Sequence, residues 1–311
     1  MSVNQQTNSM KTASPIRPAP SLRTWLLTLF WLALGPGILS LVDLHEMFPG
    51  AYGPMALNLA RLDKALPEET LHVVAIGTSK SYFALPFDAE LAAQIDPTGK
   101  RMVFHRFAYG SATFTDLWPI FLALQRQPPD WLLIEGDLLF VDRRYSDADW
   151  RTRFRDNLFL VQQAIFRSVP TASDMNRGVD VWPEPASCLA TQQPAALKKY
   201  QDYAAKWLVA KPVQWQSYVD ALRPLTARGT QVAVLDLPRA PRATLLVPAR
   251  LDPDIAALRE RTTQAFGYAT WSPGTLVDDE FCDSGHMNAD GRAHYTAWLV
   301  DRLRPLLKPR P

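Results

Sequence analysis

The chain has little cysteine, little glycine and little net charge. Its 311 residues include two cysteines, which excludes a disulfide framework and a four-cysteine zinc site. There are 14 glycines against 26 prolines, a ratio that favours structured, proline-stiffened loops over flexible linkers. The 33 Lys and Arg residues nearly balance the 31 Asp and Glu residues. A net charge of +2 gives no footprint for a polyanionic partner, so nucleic-acid binding is not expected.

The two cysteines admit two interpretations. Cys188 and Cys282 are either unrelated buried thiols or one disulfide, which would tie a mid-chain loop to the loop that carries Asp283. The disulfide requires an oxidising compartment.

One long apolar run near the N-terminus bears on that compartment. Thr24–Val42 has no charge over about 19 residues, close to the length that crosses a bilayer. Basic residues precede the run and Asp43 and Glu46 follow it, so the positive-inside rule keeps the N-terminus in the cytoplasm and exports the rest. The run lacks a small-x-small cleavage site, which favours an uncleaved signal-anchor. A buried core helix remains the alternative, although Gly35-Pro36-Gly37 would kink any helix there.

Short apolar stretches alternate with helical patterns along the remaining chain. Buried strands are predicted at His72–Ile76, Met102–Phe107, Trp131–Glu135 and Gln231–Leu237. Helices are predicted at Phe87–Ile95, Phe114–Gln125, Val213–Ala227 and Ala289–Leu307. Apolar strands separated by helices predict a parallel sheet covered on both faces, which is a doubly wound α/β fold.

The chain therefore divides into four predicted segments. These are a cytoplasmic stub (1–21), a transmembrane signal-anchor (22–43), a connector (44–69) and an α/β domain (70–311). Residues from about 142 to 212 interrupt the alternation, with helices predicted at Asp147–Ser168 and near Ala195–Val209. We interpret them as an insertion packed over the carboxyl ends of the strands, where open α/β sheets bind ligands.

A serine follows the first predicted strand at the position where α/β folds place catalytic residues. The strand ends in Ile76-Gly77-Thr78-Ser79, where Gly77 permits a tight turn and neighbouring N–H groups can face an oxyanion. Near the other end of the chain, Asp283 precedes His286 by three residues, directly before the last predicted helix. On a loop, this carboxylate can accept the imidazole Nδ1–H and leave Nε2 as a base for a serine.

Together these two blocks resemble the first and last sequence blocks of the SGNH/GDSL hydrolases. The matching residues are Gly-x-Ser after the first strand and Asp-x-x-His-x-Asn-x-x-Gly before the last helix. The resemblance implies a flavodoxin-like three-layer α/β/α sheet and chemistry that needs no cofactor or metal. It also implies Ser79 as nucleophile, His286 as general base and Asp283 as the residue that orients the base.

The middle blocks of that family match less closely. A family glycine after the second strand and a family asparagine after the third donate to the oxyanion. Gly110 or Ser111 is the nearest match to the glycine, and Asp137 stands where the asparagine is expected. Either backbone N–H groups of Ser79 and Gly110 suffice, or Asp137 has another role. Losing one oxyanion donor typically costs about 100- to 1,000-fold in rate, which favours a slow hydrolase or an acceptor-specific transferase.

The overall plan is similar to teichoic-acid D-alanine transfer proteins and membrane-anchored polysaccharide O-acetylation proteins. This similarity implies a single-pass protein of the bacterial inner membrane with a periplasmic domain. It also implies acyl esters, acetyl first among them, of an envelope polysaccharide as substrate, and a membrane-bound O-acyltransferase as partner. The competing hypothesis is a non-catalytic accessory protein that binds a glycan or such a partner.

Three cationic side chains near the predicted site allow a structural or a functional role. Arg239 and Arg242 follow a strand's carboxyl end, where they either belong to a proline-braced loop or contact an anionic substrate or lipid headgroup. Lys80 follows the predicted nucleophile and could form a Ser–Lys dyad with it. Because Ser79 already has a better partner in His286, Lys80 is instead expected at the surface.

The remaining histidines do not indicate a metal site. His294 follows His286 by eight positions and falls in the last predicted helix, about two turns away, with no further histidine close in sequence. His72 and His105 lie at or in predicted strands and are expected to be structural.

Overall fold

A computed structural model describes two stretches of the chain, residues 66–143 and 208–307. Within them positions 68, 111, 115, 116, 211 and 247–250 are not described, and outside them the described positions are 21–23, 26–28, 34, 37, 59, 61–62, 198 and 201–202. Most of the predicted signal-anchor and most of the predicted insertion therefore lie outside the described residues. No helix among the described positions combines the length and the apolar character needed to cross a bilayer.

Strands and helices alternate through both described stretches. The strands are β1 (Leu71–Gly77), β2 (Met102–Ala108), β3 (Trp131–Glu135), β4 (Val141–Arg143), β5 (Leu208–Ala210), β6 (Gln231–Leu235) and β7 (Ala269–Trp271). The helices are α1 (Ser79–Ala84), α2 (Asp88–Ile95), α3 (Trp118–Arg126), α4 (Gly136–Phe140), α5 (Pro212–Ala221), α6 (Arg223–Thr226), α7 (Pro241–Thr244), α8 (Leu251–Phe266) and α9 (Ala289–Leu303). Two 3₁₀ turns lie at Asp278–Glu280 and Arg304–Leu306.

The main sheet is parallel, as predicted. Its strands are in the order β2-β1-β3-β6-β7, and every neighbouring pair is parallel. The four predicted strands are all present in it. β7 was not predicted, because it is a three-residue edge strand in which only Trp271 is buried.

Both faces of the sheet are covered, which explains why its strands are continuously apolar. In β1, Val74 and Ile76 pack with one core cluster, to which α3, α5 and α8 contribute. Val73 and Ala75 point to the opposite face and pack with a second cluster, to which α2 and α9 contribute. The described part of the chain thus has the three predicted layers.

The helices differ from the predictions in several places. The helix predicted at Phe114–Gln125 begins at Trp118, and the last helix ends at Leu303, where a 3₁₀ turn follows. The stretch predicted as one helix, Val213–Ala227, is divided into α5 and α6, because Pro224 lies in the first turn of a new helix. The 16-residue α8 was not predicted; it buries Ile255 and Leu258 and is otherwise largely polar.

The insertion has a hydrogen-bonded base. The second insertion helix was predicted to reach Val209, but Leu208–Ala210 form β5, which pairs antiparallel with β4. Arg143 lies opposite Leu208, and Val141 lies opposite Ala210. The chain therefore leaves the sheet domain and returns to it at adjacent points, directly after α4 and directly before α5.

Candidate active site

Ser79 lies in a tight turn between β1 and α1. Thr78 caps α1 with its side chain, whose Oγ1 accepts a hydrogen bond from the Lys80 N–H at 3.2 Å. Gly77 is required because an added Cβ would lie 1.8 Å from Ser81 Oγ and 2.7 Å from Glu135 Oε2. The turn is thus packed so closely against α1 that no side chain fits at position 77.

Glu135, at the carboxyl end of β3, lies beneath this turn. It is completely buried, and its carboxylate accepts hydrogen bonds from Thr78 and Ser81, which flank the nucleophile. Sequence analysis assigned Glu135 no role. The available signal was an acidic residue ending a buried apolar strand, at the sheet edge where α/β folds place their functional side chains.

The structure brings Ser79, His286 and Asp283 together in one hydrogen-bonded chain. His286 Nε2 lies 2.9 Å from Ser79 Oγ, and His286 Nδ1 lies 2.7 Å from Asp283 Oδ2. With the imidazole proton on Nδ1, the ring donates to the carboxylate and accepts from the serine hydroxyl. These contacts have the geometry of a nucleophile, its base and the residue that orients the base.

Asp283 holds its own loop as well as the imidazole. Its second oxygen, Oδ1, accepts the N–H groups of Gly285 and His286, each at 2.9 Å. Partial burial acts to raise the pKa of Asp283, but hydrogen bonding and attraction to His286, together with the two N–H groups, lower it below the usual value. The carboxylate is therefore ionised at neutral pH.

The loop is closed at its base by backbone bonds and joined to a neighbouring loop in its middle. Phe281 and Met287 form an antiparallel bridge, and the Cys282 N–H donates to the His286 carbonyl at 2.7 Å. The Ala240 N–H donates to the Ser284 carbonyl at 3.1 Å, which joins this loop to the loop after β6.

The start of α9 explains the remainder of the last sequence block. Asn288 is the N-cap of α9, and its side chain accepts the Gly291 N–H at 3.0 Å. Gly291 lies so close to the Asp278–Glu280 turn that an added Cβ would be 2.2 Å from the Glu280 carbonyl oxygen. These two residues therefore set where α9, and the histidine loop before it, lie against the core.

An aromatic ring covers the imidazole. The ring centroids of Phe83 and His286 are 4.7 Å apart, with 41° between the ring planes. Phe83 is one helical turn after Ser79 on α1, so the helix that presents the nucleophile also supports the base. Sequence analysis did not identify Phe83.

Lys80 is not a surface residue, contrary to the prediction. Its side chain is 13% exposed, and Nζ donates to Asp137 Oδ2 at 3.1 Å and to the Leu237 carbonyl at 2.8 Å. Arg239 reaches the same oxygen of Asp137 at 3.3 Å. Lys80 lies at the start of α1, Asp137 at the start of α4 and Arg239 in the loop after β6, so their side chains tie together the carboxyl ends of three adjacent strands.

These contacts bear on the oxyanion role predicted for Asp137. Burial opposes ionisation of Asp137, but Lys80 and Arg239, with Arg259 more weakly, hold its pKa well below the usual value. An ionised carboxylate only accepts hydrogen bonds and cannot donate one to an oxyanion. The geometry therefore supports the other predicted alternative, a separate role for Asp137. Here its carboxylate accepts hydrogen bonds from the cationic side chains of Lys80 and Arg239.

Two backbone N–H groups remain as candidates for the predicted oxyanion role. Thr78 and Glu135 accept the N–H groups of Lys80 and Ser81, whereas the Ser79 N–H has no acceptor among the described residues. Gly110 follows β2 at the same edge of the sheet, since Ala108 pairs with Gly77 and the Tyr109 N–H donates to the Gly77 carbonyl at 3.1 Å. Ser111 lies outside the described residues.

The remaining predicted site residues are Arg242 and the two cysteines. Arg242 is 65% exposed and its Nε lies 3.0 Å from Asp278 Oδ2, so its role toward a substrate stays a prediction, like that of Arg239. Cys282 is buried beside Met287, and Cys188 lies outside the described residues, so their pairing also stays a prediction.

His294 contacts Glu280 rather than the candidate site. Its Nδ1 lies 2.8 Å from Glu280 Oε1. In the described part of the chain, no group of three or more His, Cys, Asp or Glu side chains is arranged to hold a metal ion.

Comparison with known proteins gives matches among solved structures only. No family model matches the chain, and no curated protein does. An aryl esterase from M. smegmatis matches at 11% identity with a TM-score of 0.38, over 76% of this chain and 99% of that one. A carbohydrate acetylesterase from Sinorhizobium meliloti matches at 11% identity and a TM-score of 0.37, over 76% and 99%. A variant of an acetyl-xylooligosaccharide esterase from Geobacillus matches at 11% identity with a TM-score of 0.39, over 75% of this chain and 93% of that one.

Proposed function

We propose that the chain is a serine ester hydrolase or O-acyltransferase that works through an acyl-Ser79 intermediate. The observation that carries the proposal is the hydrogen-bonded chain from Asp283 through His286 to Ser79, with contacts of 2.7 and 2.9 Å. A serine alone is a weak nucleophile at neutral pH, and an oriented neutral imidazole removes that limitation.

The first half of the reaction transfers the acyl group to the protein. Ser79 Oγ attacks the acyl carbon while His286 Nε2 takes the hydroxyl proton, and the carbonyl oxygen becomes an oxyanion facing the Ser79 N–H. The ester C–O bond then breaks, and the departing alcohol oxygen takes the proton from His286. Asp283 stabilises the imidazolium that exists between these two steps.

The second half returns the acyl group to an oxygen. A water molecule or a sugar hydroxyl gives its proton to His286 Nε2 and attacks the acyl carbon. Collapse of the second tetrahedral intermediate breaks the acyl–Ser79 bond, and Ser79 Oγ recovers its proton. Hydrolysis and transfer differ only in this acceptor.

The physiological substrate belongs to the same proposal. The apolar run near the N-terminus and the resemblance to envelope acylation proteins support a domain on the outer face of the bacterial inner membrane. They also support acetyl esters of an envelope polysaccharide as substrate and a membrane-bound O-acyltransferase as partner. A reporter enzyme active only outside the cytoplasm, fused after residue 311, tests the location; an inactive but full-length fusion would contradict it.

A non-catalytic accessory role is the second candidate, and one observation favours it. Asp137 stands where the resemblance expects an oxyanion donor, and it is engaged by Lys80 and Arg239 instead. Under this alternative, the Ser79→Ala variant would bind an acetylated glycan as tightly as the wild type does. The wild type would form no acyl-enzyme.

The deciding experiment treats the full-length chain with a fluorophosphonate probe and follows hydrolysis of p-nitrophenyl acetate. We expect covalent labelling of Ser79, which Ser79→Ala and His286→Asn abolish. Ser272→Ala and His294→Asn are matched controls on exposed positions outside the site and should keep labelling and turnover. Folded wild-type protein that is neither labelled nor active would refute the catalytic proposal, and labelling that survives Ser79→Ala would move the nucleophile elsewhere.

A further inference from the structure

We infer that Glu135 is a positioning residue that sets the geometry of the nucleophile turn; this rests on the proposed function of Ser79. Its carboxylate is completely buried and accepts four hydrogen bonds, two from Thr78 and two from Ser81. Thr78 donates its N–H and its hydroxyl, each at 2.7 Å. Ser81 donates its N–H at 3.3 Å and its hydroxyl at 2.7 Å.

These bonds act on the backbone of the turn and not only on side chains. The two N–H groups that Glu135 accepts lie one position before and two positions after Ser79. Both bind the same oxygen, Oε2, so the backbone on either side of the nucleophile converges on a single fixed atom. Glu135 itself is held at the end of a central strand, between β1 and β6.

The arrangement also decides which N–H group is left to act on the substrate. Glu135 accepts from Thr78 and Ser81, and Thr78 Oγ1 accepts from Lys80, while the Ser79 N–H has no acceptor among the described residues. A carboxylate at this position therefore orients the Ser79 N–H and the Ser79 hydroxyl together. Gly77 completes the arrangement, because any Cβ there would collide with Ser81 Oγ and Glu135 Oε2.

Removing the carboxylate should loosen the turn around Ser79 without removing any contact to the substrate. The donors of Thr78 and Ser81 would seek other acceptors, and Ser79 Oγ would move relative to His286 Nε2, now 2.9 Å away. A displacement of about 1 Å at a reacting group typically costs about 100-fold in rate. We expect Glu135→Ala to lower kcat for p-nitrophenyl acetate about 100-fold while KM changes less than about threefold.

Glu135→Gln distinguishes position from charge. Glutamine keeps an oxygen at Oε2, which serves three of the four bonds, and its NH₂ can donate to Thr78 Oγ1 where Oε1 accepted before. We expect this variant to retain kcat within about 10-fold of the wild type. A loss in Glu135→Gln as large as in Glu135→Ala would overturn the inference, since charge and not geometry would then be the contribution of Glu135.

The experiment uses the full-length chain, with Glu260→Ala and Glu260→Gln as matched controls on the exposed face of α8. Thermal unfolding by circular dichroism accompanies the kinetics. If Glu135→Ala does not fold, Ser81→Ala takes its place, because this variant removes only one of the hydroxyl donors to Glu135. A fall in kcat of about 10-fold at constant KM supports the inference. An unchanged kcat overturns it. Wild-type protein that no fluorophosphonate labels refutes the proposed function itself. Equal labelling rates in wild type and Glu135→Ala refute only the role of Glu135.

Discussion

Lys80 and Asp137 form an ion pair beside the nucleophile, with Nζ 3.1 Å from Oδ2. Because Arg239 binds the same carboxylate oxygen, Asp137 joins a cation on α1 to a cation in the loop after β6. Together with the Lys80 bond to the Leu237 carbonyl, the pair links the carboxyl ends of β1, β3 and β6. Its first consequence is therefore for stability.

Asp137→Asn should lower the free energy of unfolding by about 2 kcal/mol at pH 7, since hydrogen bonds to charged groups are the stronger class. The native pKa of Asp137 is below its usual value of 3.8, so its contribution is complete above that pH and is lost as the pH falls further. The difference between wild type and variant should narrow accordingly in urea titrations below pH 3.8. Asp220→Asn, at an exposed pair with Arg223, is the matched control and should change little. Equal effects of the two substitutions would contradict the structural role.

Under the proposed function, Phe83→Ala should slow turnover without weakening substrate binding. The ring lies against the His286 imidazole at 4.7 Å, and its loss frees the base to leave the line between Ser79 and Asp283. We expect kcat for p-nitrophenyl acetate to fall by roughly 10- to 100-fold with KM nearly constant. Phe83→Leu keeps an apolar contact and should recover part of the rate. A Phe83→Ala variant that is as fast as the wild type would show that the ring does not position the base.

Gly291→Ala should destabilise the fold at the histidine loop. The new Cβ would lie 2.2 Å from the Glu280 carbonyl oxygen, so α9 or the Asp278–Glu280 turn has to move. Overpacking of this kind costs about 1–3 kcal/mol, measurable by urea unfolding. Gly274→Ala is the matched control, because nothing lies within 4 Å of the added methyl group. Two variants of equal stability would contradict the close approach of α9.

His72 predicts a pH dependence of stability that is separate from catalysis. Burial lowers its pKa to about 4, assisted by His105 and opposed by Asp130. The unfolded chain therefore binds a proton between about pH 6.5 and 4 that the native chain does not, and stability falls as the pH falls through this window. Across this window the titration of His72 lowers the free energy of unfolding by about 3 kcal/mol.

His72→Gln tests this dependence, since the variant lacks the titrating group. Its free energy of unfolding should fall less steeply between pH 7 and pH 4 than that of the wild type. Parallel curves for wild type and His72→Gln would refute a buried neutral imidazole at position 72.

Local patterns in the sequence predict the elements that are themselves locally determined. Trp131–Glu135 was predicted with its observed bounds because a strand covered on both faces is apolar throughout. β7 was missed because an edge strand of three residues with one buried side chain has no such pattern. The nucleophile turn and the histidine loop were found because each has its residues close together in sequence.

The contacts that sequence analysis missed join residues far apart in the chain. Glu135 reaches Thr78 across 57 positions, and Lys80 reaches the Leu237 carbonyl across 157. The prediction for Lys80 was wrong for this reason: a lysine after the nucleophile is normally exposed, and only the fold brings Asp137 to it. Phe83 shows the same limit, since its partner His286 is near only in the folded chain.

The short antiparallel ladder between β4 and β5 gives the fold a modular junction. Because Arg143 lies opposite Leu208, the chain between them begins and ends at one point on the rim of the domain. Its length and composition can therefore change without altering the strand register of the main sheet or the spacing of Ser79, Asp283 and His286. Under the proposed function, selection can therefore change the insertion, and with it the substrate preference, while Ser79, Asp283 and His286 keep their places.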